Sequence, residues 1–343
     1  MVGAVLVRDG DVVGRGFHTY AGLRHAEIVA LEEAGERARG ATLYINLEPC
    51  SHQGRTGPCV NALIDAGVAR VVAAMEDPNP LVSGSGFRRL REAGIAVELL
   101  PGLRAAAEKL NESFAHAMRT GRPLVTLKTA LTLDGKIGAP DDNSGWITSD
   151  TARAHVQQLR HTSDAILTGI GTVIADDCLL TDRTGDERSR PLLRIIVDSQ
   201  ARISIDSRMV RSARGDLLIA ATSAASESRR RALQDRGVEV ALFDGPGGRV
   251  DLRGVVQWLA ERKYLSLLIE AGSKVNWSAL EAEVVDKIFF YYAPKILGGL
   301  QSLPMAGGIG KRRRMDAILV RDLELHKISV DEFAVEGWIR KEA

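Results

Sequence analysis

Three residues in the first half of the chain have the types and the spacing of zinc ligands. His25 begins a predicted helix, Cys50 follows a predicted strand, and Cys59 begins the next predicted helix. Zinc in catalytic sites takes three protein ligands and keeps a fourth position open for water, and one imidazole with two thiolates meets this need. A helix N-terminus also lowers the pKa of a thiol and favours the thiolate that binds metal. The pattern therefore predicts one zinc ion in this half.

Glu27, two residues after His25, is predicted to transfer protons beside the zinc ion. This offset on a helix keeps the carboxyl group near the metal but aims it away from ligation. The combination is typical of zinc deaminases, in which a zinc-bound hydroxide attacks an amidine carbon and ammonia leaves. Here eight residues, not two, separate Cys50 from Cys59. Cysteines at such a spacing are often buried hydrophobic residues, which is one alternative to a zinc site. A zinc-stabilised α/β binding module without catalysis is a second alternative.

The second half of the chain lacks the glycine fingerprint of standard dinucleotide-binding domains. Gly169 and Gly171 follow a predicted strand, but the third glycine of that fingerprint would stand at position 174, which is Ile174. The two glycines still let backbone N–H groups approach a phosphate, and the strand-to-helix turn at 269–273 is a second such place. An ordinary tight turn is the alternative in both places.

Three cationic side chains of the second half have candidate roles beside structural alternatives. Lys128 lies in a predicted strand, where it would pair with Glu270 or Asp176; a structural ion pair is the alternative. Arg160 and Arg183 carry the paired N–H donors that suit a bidentate contact with an anion. For both arginines, a plain surface charge is the alternative.

The elements that must position these residues alternate strand and helix along 2–118 and along 124–293, which predicts α/β domains with mostly parallel sheets. In the first domain, Asp9-Gly10 predicts a hairpin between the first two strands, and residues 103–118 predict one long helix. The polar stretch 119–123 predicts a boundary between a domain over 1–118 and a domain over 124–343. The chain has 343 residues and a net charge of +1, which disfavours a dedicated nucleic-acid binder.

Three cysteines are too few for a disulfide-stapled secreted scaffold. No apolar run is long enough to span a membrane, and no signal peptide is recognisable at the start. We therefore expect a cytoplasmic protein that binds a small molecule, with no nucleic-acid or membrane partner.

The motifs, taken in order, resemble those of the bifunctional riboflavin-biosynthesis deaminase/reductase family. Residues 48–59, EPCSHQGRTGPC, are similar to its long-spaced zinc motif, and residues 76–84 to the loop that follows. Residues 133–137, 144–148 and 171–177 are similar to motifs of its reductase domain. The resemblance covers nearly the whole chain.

The resemblance implies an N-terminal cytidine-deaminase-like α/β/α sandwich and a C-terminal dihydrofolate-reductase-like α/β domain. It implies zinc-dependent deamination of 2,5-diamino-6-(5-phosphoribosylamino)pyrimidin-4-one to the corresponding uracil. It then implies reduction of the ribosyl chain to a ribityl chain with NADPH as cofactor. We expect a homo-oligomer, either a dimer or a tetramer.

Residue roles also follow from the resemblance. Zinc would be bound by His25, Cys50 and Cys59, with Glu27 as the proton donor. The pyrimidine and phosphate pocket of the deaminase domain would be lined by His18, His52, Arg55 and Thr56. The NADPH site would include Ala130, Thr148, Thr172, Asp176, Ser199 and Gly272. The substrate of the reduction would contact Ser144, Arg160, Leu180, Arg183 and Glu270. Arg160 and Arg183 are predicted to clamp its ribose phosphate, and Lys128 is predicted to protonate or orient its sugar. Trp146 is predicted beside the cofactor, where it stacks on a ring unless it packs in the core.

The chain departs from the family pattern in two places. Family members carry a helix and an Asn-Pro-x-Val-Gly segment ahead of the position of Met1, so we expect the deaminase domain to lack its first helix. Cys178 stands where a proline is usual, and we expect a buried small residue without a catalytic role. A reductase with a weakened or inactive deaminase domain is therefore one alternative, and a nucleic-acid deaminase fused to a reductase-like domain is another.

Overall fold

The computed structural model describes residues 1–18, 24–51, 57–80, 82–141, 144–188 and 190–340. The chain divides into two compact units, Met1–Gly121 and Arg122–Ala343. Each unit has its own β-sheet flanked by helices. Among the described residues, no helix is long and apolar enough to cross a membrane.

The first unit is a five-stranded sheet with helices on its faces. Its strands are β1 (Val2–Arg8), β2 (Asp11–His18), β3 (Thr42–Ile45), β4 (Arg70–Ala73) and β5 (Ala96–Leu99), and its helices are α1 (Ala26–Ala34), α2 (Cys59–Asp65), α3 (Ser85–Glu92), α4 (Arg104–Leu110) and α5 (Glu112–Thr120). The strand order is β2-β1-β3-β4-β5. Strands β3, β4 and β5 are parallel, whereas β1 is antiparallel to both of its neighbours.

Two local signals place α1 where its first residues meet the metal site. Asp9 and Gly10 both have positive φ, 52° and 90°, which confirms the hairpin predicted between β1 and β2. On β2, a Cβ atom at Gly14 or Gly16 would overlap backbone atoms of α1. These glycines therefore let α1 pack directly against the strand, over a core that includes Leu6 and Leu43.

The long helix predicted over 103–118 is wrong, because the structure breaks it at Asn111 into α4 and α5. Asn111 has φ −112° and ψ 22°, outside the helical range. Its side-chain amide donates to the carbonyl of Ala107 at 3.2 Å. Asparagine side chains compete in this way with the backbone bonds of a helix, which the apolar periodicity of the segment did not reveal.

The second unit is built on a nine-stranded sheet in the order β11-β10-β9-β8-β12-β6-β13-β16-β15, with β7 and β14 forming a separate two-stranded sheet. Its strands are β6 (Leu124–Thr132), β7 (Lys136–Gly138), β8 (Ala165–Gly169), β9 (Leu193–Val197), β10 (Leu217–Ala221), β11 (Glu239–Leu242), β12 (Ser266–Ile269), β13 (Lys287–Ala293), β14 (Leu303–Pro304), β15 (Val320–Lys327) and β16 (Phe333–Ile339). Its helices are α6 (Asp150–His161), α7 (Ile170–Asp176), α8 (Arg208–Arg211), α9 (Glu227–Gln234), α10 (Leu252–Glu261) and α11 (Ser273–Glu281).

Seven neighbouring strands of the large sheet, from β11 to β13, are parallel to one another. Alternate residues of these strands face two separate apolar cores: Leu167 and Ile269 face one, and Ile166 and Leu268 face the other. Helices cover both faces of a parallel sheet, so its strands are apolar on both sides.

The sequence analysis predicted no strand after 293, and the structure adds the antiparallel pair β15 and β16. β15 is an edge strand that is exposed along most of its length and carries charged residues such as Asp322 and Glu324. A strand of this composition forms because it pairs with β16, and such long-range pairing leaves little local signal.

Candidate active sites

The three predicted zinc ligands converge in the first unit. His25 stands immediately before α1, Cys59 is the first residue of α2, and Cys50 lies beyond the end of β3. The His25 Nδ1 atom lies 3.2 Å from the Sγ of Cys59 and 3.5 Å from the Sγ of Cys50. Tetrahedral zinc, with Zn–N near 2.0 Å and Zn–S near 2.3 Å, places such N and S atoms about 3.5 Å apart. The donor set therefore fits a zinc ion.

The pKa values of the two thiol groups are shifted in opposite directions. A hydrogen bond from the Cys59 side chain lowers the pKa of Cys50 to about 4, and the same contact raises the pKa of Cys59. The backbone N–H of Cys59 also donates to the Cys50 sulfur at 3.3 Å. Cys50 is therefore ready as a thiolate, and binding of a cation would remove the remaining proton from Cys59.

Glu27 lies in the first turn of α1 with 3% of its surface exposed. Burial raises the pKa of its carboxyl group, as expected for a carboxyl group removed from water. The carboxyl group contacts Cys59 without belonging to the cluster of donor atoms formed by His25, Cys50 and Cys59. Glu27 is thus placed beside the ligands rather than among them.

Of the predicted pocket residues in this unit, the structure describes only His18. Its ring centroid lies 5.0 Å from that of His25, and its Nδ1 lies 3.1 Å from the carbonyl oxygen of Arg24. The structure therefore brings His18 to the edge of the metal site. His52, Arg55 and Thr56 lie outside the described residues.

In the second unit, Glu270 is the centre of a buried ion-pair network. Lys128 on β6 donates from Nζ to Glu270 Oε2 at 3.3 Å. Arg160 on α6 donates from Nε to Oε1 at 2.8 Å and from Nη2 to Oε2 at 3.0 Å. The three side chains are 9–12% exposed. Of the two partners predicted for Lys128, the structure selects Glu270.

Charge keeps the Glu270 carboxylate ionised although it is buried. Burial raises its pKa, but the positive charges of Lys128 and Arg160 outweigh that effect and lower the pKa to about 2. Two cations against one carboxylate leave a local excess of positive charge. Such a site suits a substrate or transition state that carries negative charge.

In the structure, the donors of Arg160 have partners within the protein. The sequence analysis expected its paired N–H donors to clamp a phosphate, but these donors bind Glu270, and Nη1 donates to the carbonyl of Thr181 at 3.0 Å. Arg183 has an exposed side chain, and its backbone N–H donates to Gln157 Oε1 at 3.0 Å. Leu180 is buried and has φ 51°, a conformation that is uncommon outside glycine.

Most residues predicted for the cofactor lie at one edge of the large sheet. β9, β8, β12 and β6 are consecutive parallel strands. The carboxyl ends of these strands carry or lead into Ser199, Thr172, Asp176, Gly272 and Ala130. A Cβ atom on Gly272 would lie 3.7 Å from the hydroxyl oxygen of Thr172. Crevices at the carboxyl ends of parallel strands are the usual ligand sites of such sheets.

The remaining predicted residues lie between β7 and α6. Thr148 is buried, whereas Trp146 is 66% exposed, so packing in the core does not explain Trp146. The Arg153 guanidinium lies 4.7 Å from the Trp146 ring centroid, and Lys295 Nζ donates to the Trp146 carbonyl at 2.6 Å. Ser144 is exposed at the start of this segment.

Sequence reasoning missed Tyr291 and His155, which lie beside the network. Lys128 Nζ lies 5.8 Å from the Tyr291 ring centroid, and the Tyr291 hydroxyl group lies 2.6 Å from His155 Nδ1. Burial raises the pKa of Tyr291. The tyrosine stands in the apolar stretch KIFFYYA of β13, and a polar aromatic residue within a buried strand is the signal that was available.

Sequence comparisons agree with this division of chemistry. The zinc-binding region of cytidine and deoxycytidylate deaminases matches residues 1–75, and the RibD C-terminal domain matches residues 123–333. The riboflavin biosynthesis protein RibD of Escherichia coli strain K12 is 42% identical, over 96% of this chain and 91% of the relative. The chain belongs to the RibD family.

Solved structures support the same family. Acinetobacter baumannii RibD superposes with a TM-score of 0.86 at 35% identity, covering 99% of this chain and 92% of that chain. A diaminohydroxyphosphoribosylaminopyrimidine deaminase/5-amino-6-(5-phosphoribosylamino)uracil reductase from Thermotoga maritima gives a TM-score of 0.82 at the same identity and coverage. The predicted fold class is confirmed: a cytidine-deaminase-like α/β domain precedes an α/β reductase domain.

Membership of the RibD family also confirms the predicted activities. The chain is a bifunctional deaminase and reductase of riboflavin biosynthesis, with a zinc-binding deaminase domain. The comparisons support both domains and do not favour a reductase alone.

Proposed function

We propose that residues 1–118 deaminate 2,5-diamino-6-(5-phosphoribosylamino)pyrimidin-4-one and that residues 124–343 reduce the ribosyl chain of the product with NADPH. For the first reaction, the decisive observation is the convergence of one imidazole and two thiols beside the buried Glu27. For the second reaction, it is the network of Lys128, Glu270 and Arg160 near the carboxyl edge of the large sheet. The name of the Thermotoga maritima relative supplies both substrate classes.

In the deaminase domain, His25, Cys50 and Cys59 would hold the zinc ion. Bound zinc lowers the pKa of a water molecule and so supplies a nucleophile at neutral pH. Glu27 would take a proton from that water and deliver it to the amino group that leaves as ammonia. Burial raises the pKa of the Glu27 carboxyl group, so this group holds a proton more readily than an exposed carboxyl group does, which suits this exchange.

In the reductase domain, the residues predicted for the cofactor would hold NADPH, which supplies a hydride. Lys128 would orient the sugar and would donate a proton to the ring oxygen that is released when the ring opens. Glu270 holds the ammonium group of Lys128 through the 3.3 Å contact, and Arg160 holds Glu270. We assign substrate contacts to Ser144, Leu180 and Arg183, with the exposed Arg183 as the phosphate ligand.

A coupled assay tests both reactions. Purified zinc-loaded protein with the diamino substrate and NADPH is expected to release ammonia and to oxidise NADPH in equal amounts. Glu27→Gln is expected to keep its zinc, to lose ammonia release and to oxidise NADPH only when supplied with the deaminated substrate. Absence of both signals from wild-type protein would reject the proposal, and full ammonia release by Glu27→Gln would reject the role of Glu27.

We also propose that the chain forms a homo-oligomer. The edge strand β15 exposes Leu323 and Leu325, which are 62% and 72% accessible, and an exposed edge with apolar side chains is a surface that proteins usually cover. Light scattering after size-exclusion chromatography is expected to give the mass of a dimer or tetramer. A monomer mass at micromolar concentration would reject self-association.

A further inference from the structure

Glu48, two residues before the predicted zinc ligand Cys50, is a buried carboxylate that accepts only backbone N–H groups in the contacts described. Its side chain is 4% exposed. Oε2 accepts from the N–H of Asp77 at 3.0 Å and of Gly84 at 2.8 Å. Oε1 accepts from the N–H of Gly86 at 2.8 Å and of Phe87 at 3.4 Å. Hydrogen bonds of this number and kind stabilise a buried anion.

These bonds cap α3 from outside the helix. The first N–H groups of a helix have no partner within it, and a side chain at the N-cap usually accepts from them. At α3 the N-cap residue is Gly84, with φ 75° and no side chain to do this. The carboxylate of Glu48, which also complements the positive end of the helix dipole, takes over that function across 38 residues of sequence.

The same helix start is fastened to the residues on both sides of Cys50. A Cβ atom on Gly86 would overlap the carbonyl oxygen of Pro49, so only glycine permits this approach. Beyond Cys50, Ser51 Oγ lies 2.5 Å from Ser85 Oγ, and Arg89 Nη1 donates to the Ser51 carbonyl at 2.9 Å. The start of α3 and the segment that carries Cys50 therefore form one packed unit.

The loop between β4 and α3 lies at the carboxyl ends of the parallel strands of the first unit. β3 and β4 are neighbouring parallel strands; the Cys50 segment follows β3, and this loop follows β4. Ligands of such sheets bind outside the carboxyl ends of the strands. Within the described part of the loop, the N–H groups of Val82 and Ser83 both donate to the carbonyl of Asn79, which makes the loop compact.

We infer that Glu48 is a positioning residue of the deamination site: its carboxylate holds the loop after β4 against the Cys50 segment, so that the loop contacts the phosphoribosyl pyrimidine. This inference rests on the proposed function of the first unit. It gives Glu48 a role distinct from metal binding and from proton transfer.

The test is Glu48→Gln in the full-length zinc-loaded protein, with Glu98→Gln as the matched control. The amide keeps the size of the side chain, but its NH₂ group faces two of the four N–H donors and cannot accept from them. Glu98 lies on β5 and forms an exposed ion pair with Arg70. Zinc content, NADPH-dependent reduction of the deaminated substrate, and kcat and KM for ammonia release are measured for each protein.

For Glu48→Gln we expect wild-type zinc content and wild-type reduction, with a KM for deamination raised roughly tenfold or more and kcat changed by less than about threefold. Glu98→Gln should match wild type throughout. Ser85→Ala weakens the same junction without altering a buried charge, and it should raise KM in the same direction by a smaller factor. If Glu48→Gln does not fold, the kinetics of Ser85→Ala test the inference instead.

Two results would overturn the inference. The first is wild-type deamination kinetics in Glu48→Gln, or in Ser85→Ala if Glu48→Gln does not fold. The second is a loss of zinc with unchanged KM, which would make Glu48 a support for the metal ligands alone. Absence of ammonia release from the wild-type enzyme is a different result, because it rejects the proposed deamination itself.

Discussion

The two active sites of this chain solve the problem of buried charge in opposite ways. In the first unit, His25, Cys50 and Cys59 bring electron-pair donors within hydrogen-bonding distance of one another. A bound cation would balance the negative charge of the thiolates in that arrangement. In the second unit, Lys128, Glu270 and Arg160 already neutralise one another in part. The charges of that site are organised by the protein alone.

This difference indicates which perturbations each site should tolerate. A site completed by a metal loses its function with the metal but leaves little uncompensated charge behind, because Cys59 keeps its proton and the side chains of Cys59 and His25 hydrogen-bond to the Cys50 thiolate. Removal of one member of a buried ion-pair network leaves the others unpaired in a medium of low dielectric constant. Variants of the two sites should therefore separate the two activities and should differ in their effect on stability.

The largest expected effect is the loss of one activity by Cys59→Ser. Without this thiolate, zinc content should fall to background and ammonia release should drop about a thousandfold or more. Reduction of the deaminated substrate should stay within about twofold, since Cys59 belongs to the other unit. Metal analysis and the two activity assays check this outcome, with Cys178→Ser as the control. Ammonia release without zinc would contradict the claim that the first active site is completed by a metal ion.

Glu270→Gln should have the next largest effect. Reduction should slow about a hundredfold, and the second unit should lose roughly 3–5 kcal/mol of stability because Lys128 and Arg160 lose their counter-ion. Ammonia release should not change. All four tryptophans of the chain lie in the second unit, so their fluorescence during urea unfolding reports on this unit. The control is Glu261→Gln, at an exposed position on α10.

Either of two results for Glu270→Gln would show that the network is not essential in the way described here. One is reduction within about threefold of wild type. The other is an unfolding curve that superposes on that of the control.

A smaller effect is expected for Arg160→Lys, which keeps the charge and removes the forked geometry. Lysine cannot make the two parallel bonds that Arg160 makes to Glu270, so reduction should fall about tenfold. Steady-state kinetics with the deaminated substrate measure this change, and Arg236→Lys, at an exposed position in a loose 4.0 Å ion pair, is the control. Equal activity of the two variants would show that charge alone suffices at position 160.

The smallest expected effect is on the pH dependence of stability. The folded pKa of Glu270 is about 2, below its ordinary value of 4.5. Its ionisation therefore stabilises the fold above pH 4.5, and this stabilisation is lost as the pH falls towards 2. Between pH 6 and pH 3, wild type should lose on the order of 2 kcal/mol relative to Glu270→Gln. Urea unfolding at both pH values tests this, and a constant difference would contradict it.

The zinc site was predictable in its membership because its signals are local. Proline before each cysteine, a helix beginning at Cys59 and the His-x-Glu pair each depend on a few adjacent residues. The resemblance to a known family then added the two reactions. What the local pattern could not show was Glu48, because its acceptor role depends on N–H groups about 30 to 40 residues away that converge only when α3 packs on the Cys50 segment.

For the reductase site, the sequence predicted which residues take part but not which of them contact one another. Lys128 had two candidate partners, and Arg160 was expected on a phosphate. The strand order decided the partner of Lys128, because β12 lies beside β6 and carries the chain to Glu270 at its end. Arg160 reaches the same carboxylate from α6. The antiparallel strands β15 and β16 were missed for a related reason, since an exposed charged edge strand is specified by its partner rather than by its own composition.

By itself, the sequence determined which side chains are available for chemistry: thiolate and imidazole ligands, a carboxyl group close to them in sequence, and a set of cations. Those properties belong to side chains and to the few residues beside them. The tertiary structure decided which charges meet. Lys128 and Glu270 are 142 positions apart, and Arg160 gives its donors to a carboxylate of the protein. Such pairings depend on the order of strands and on burial, which raises the cost of an unpaired charge and selects the partners that satisfy it.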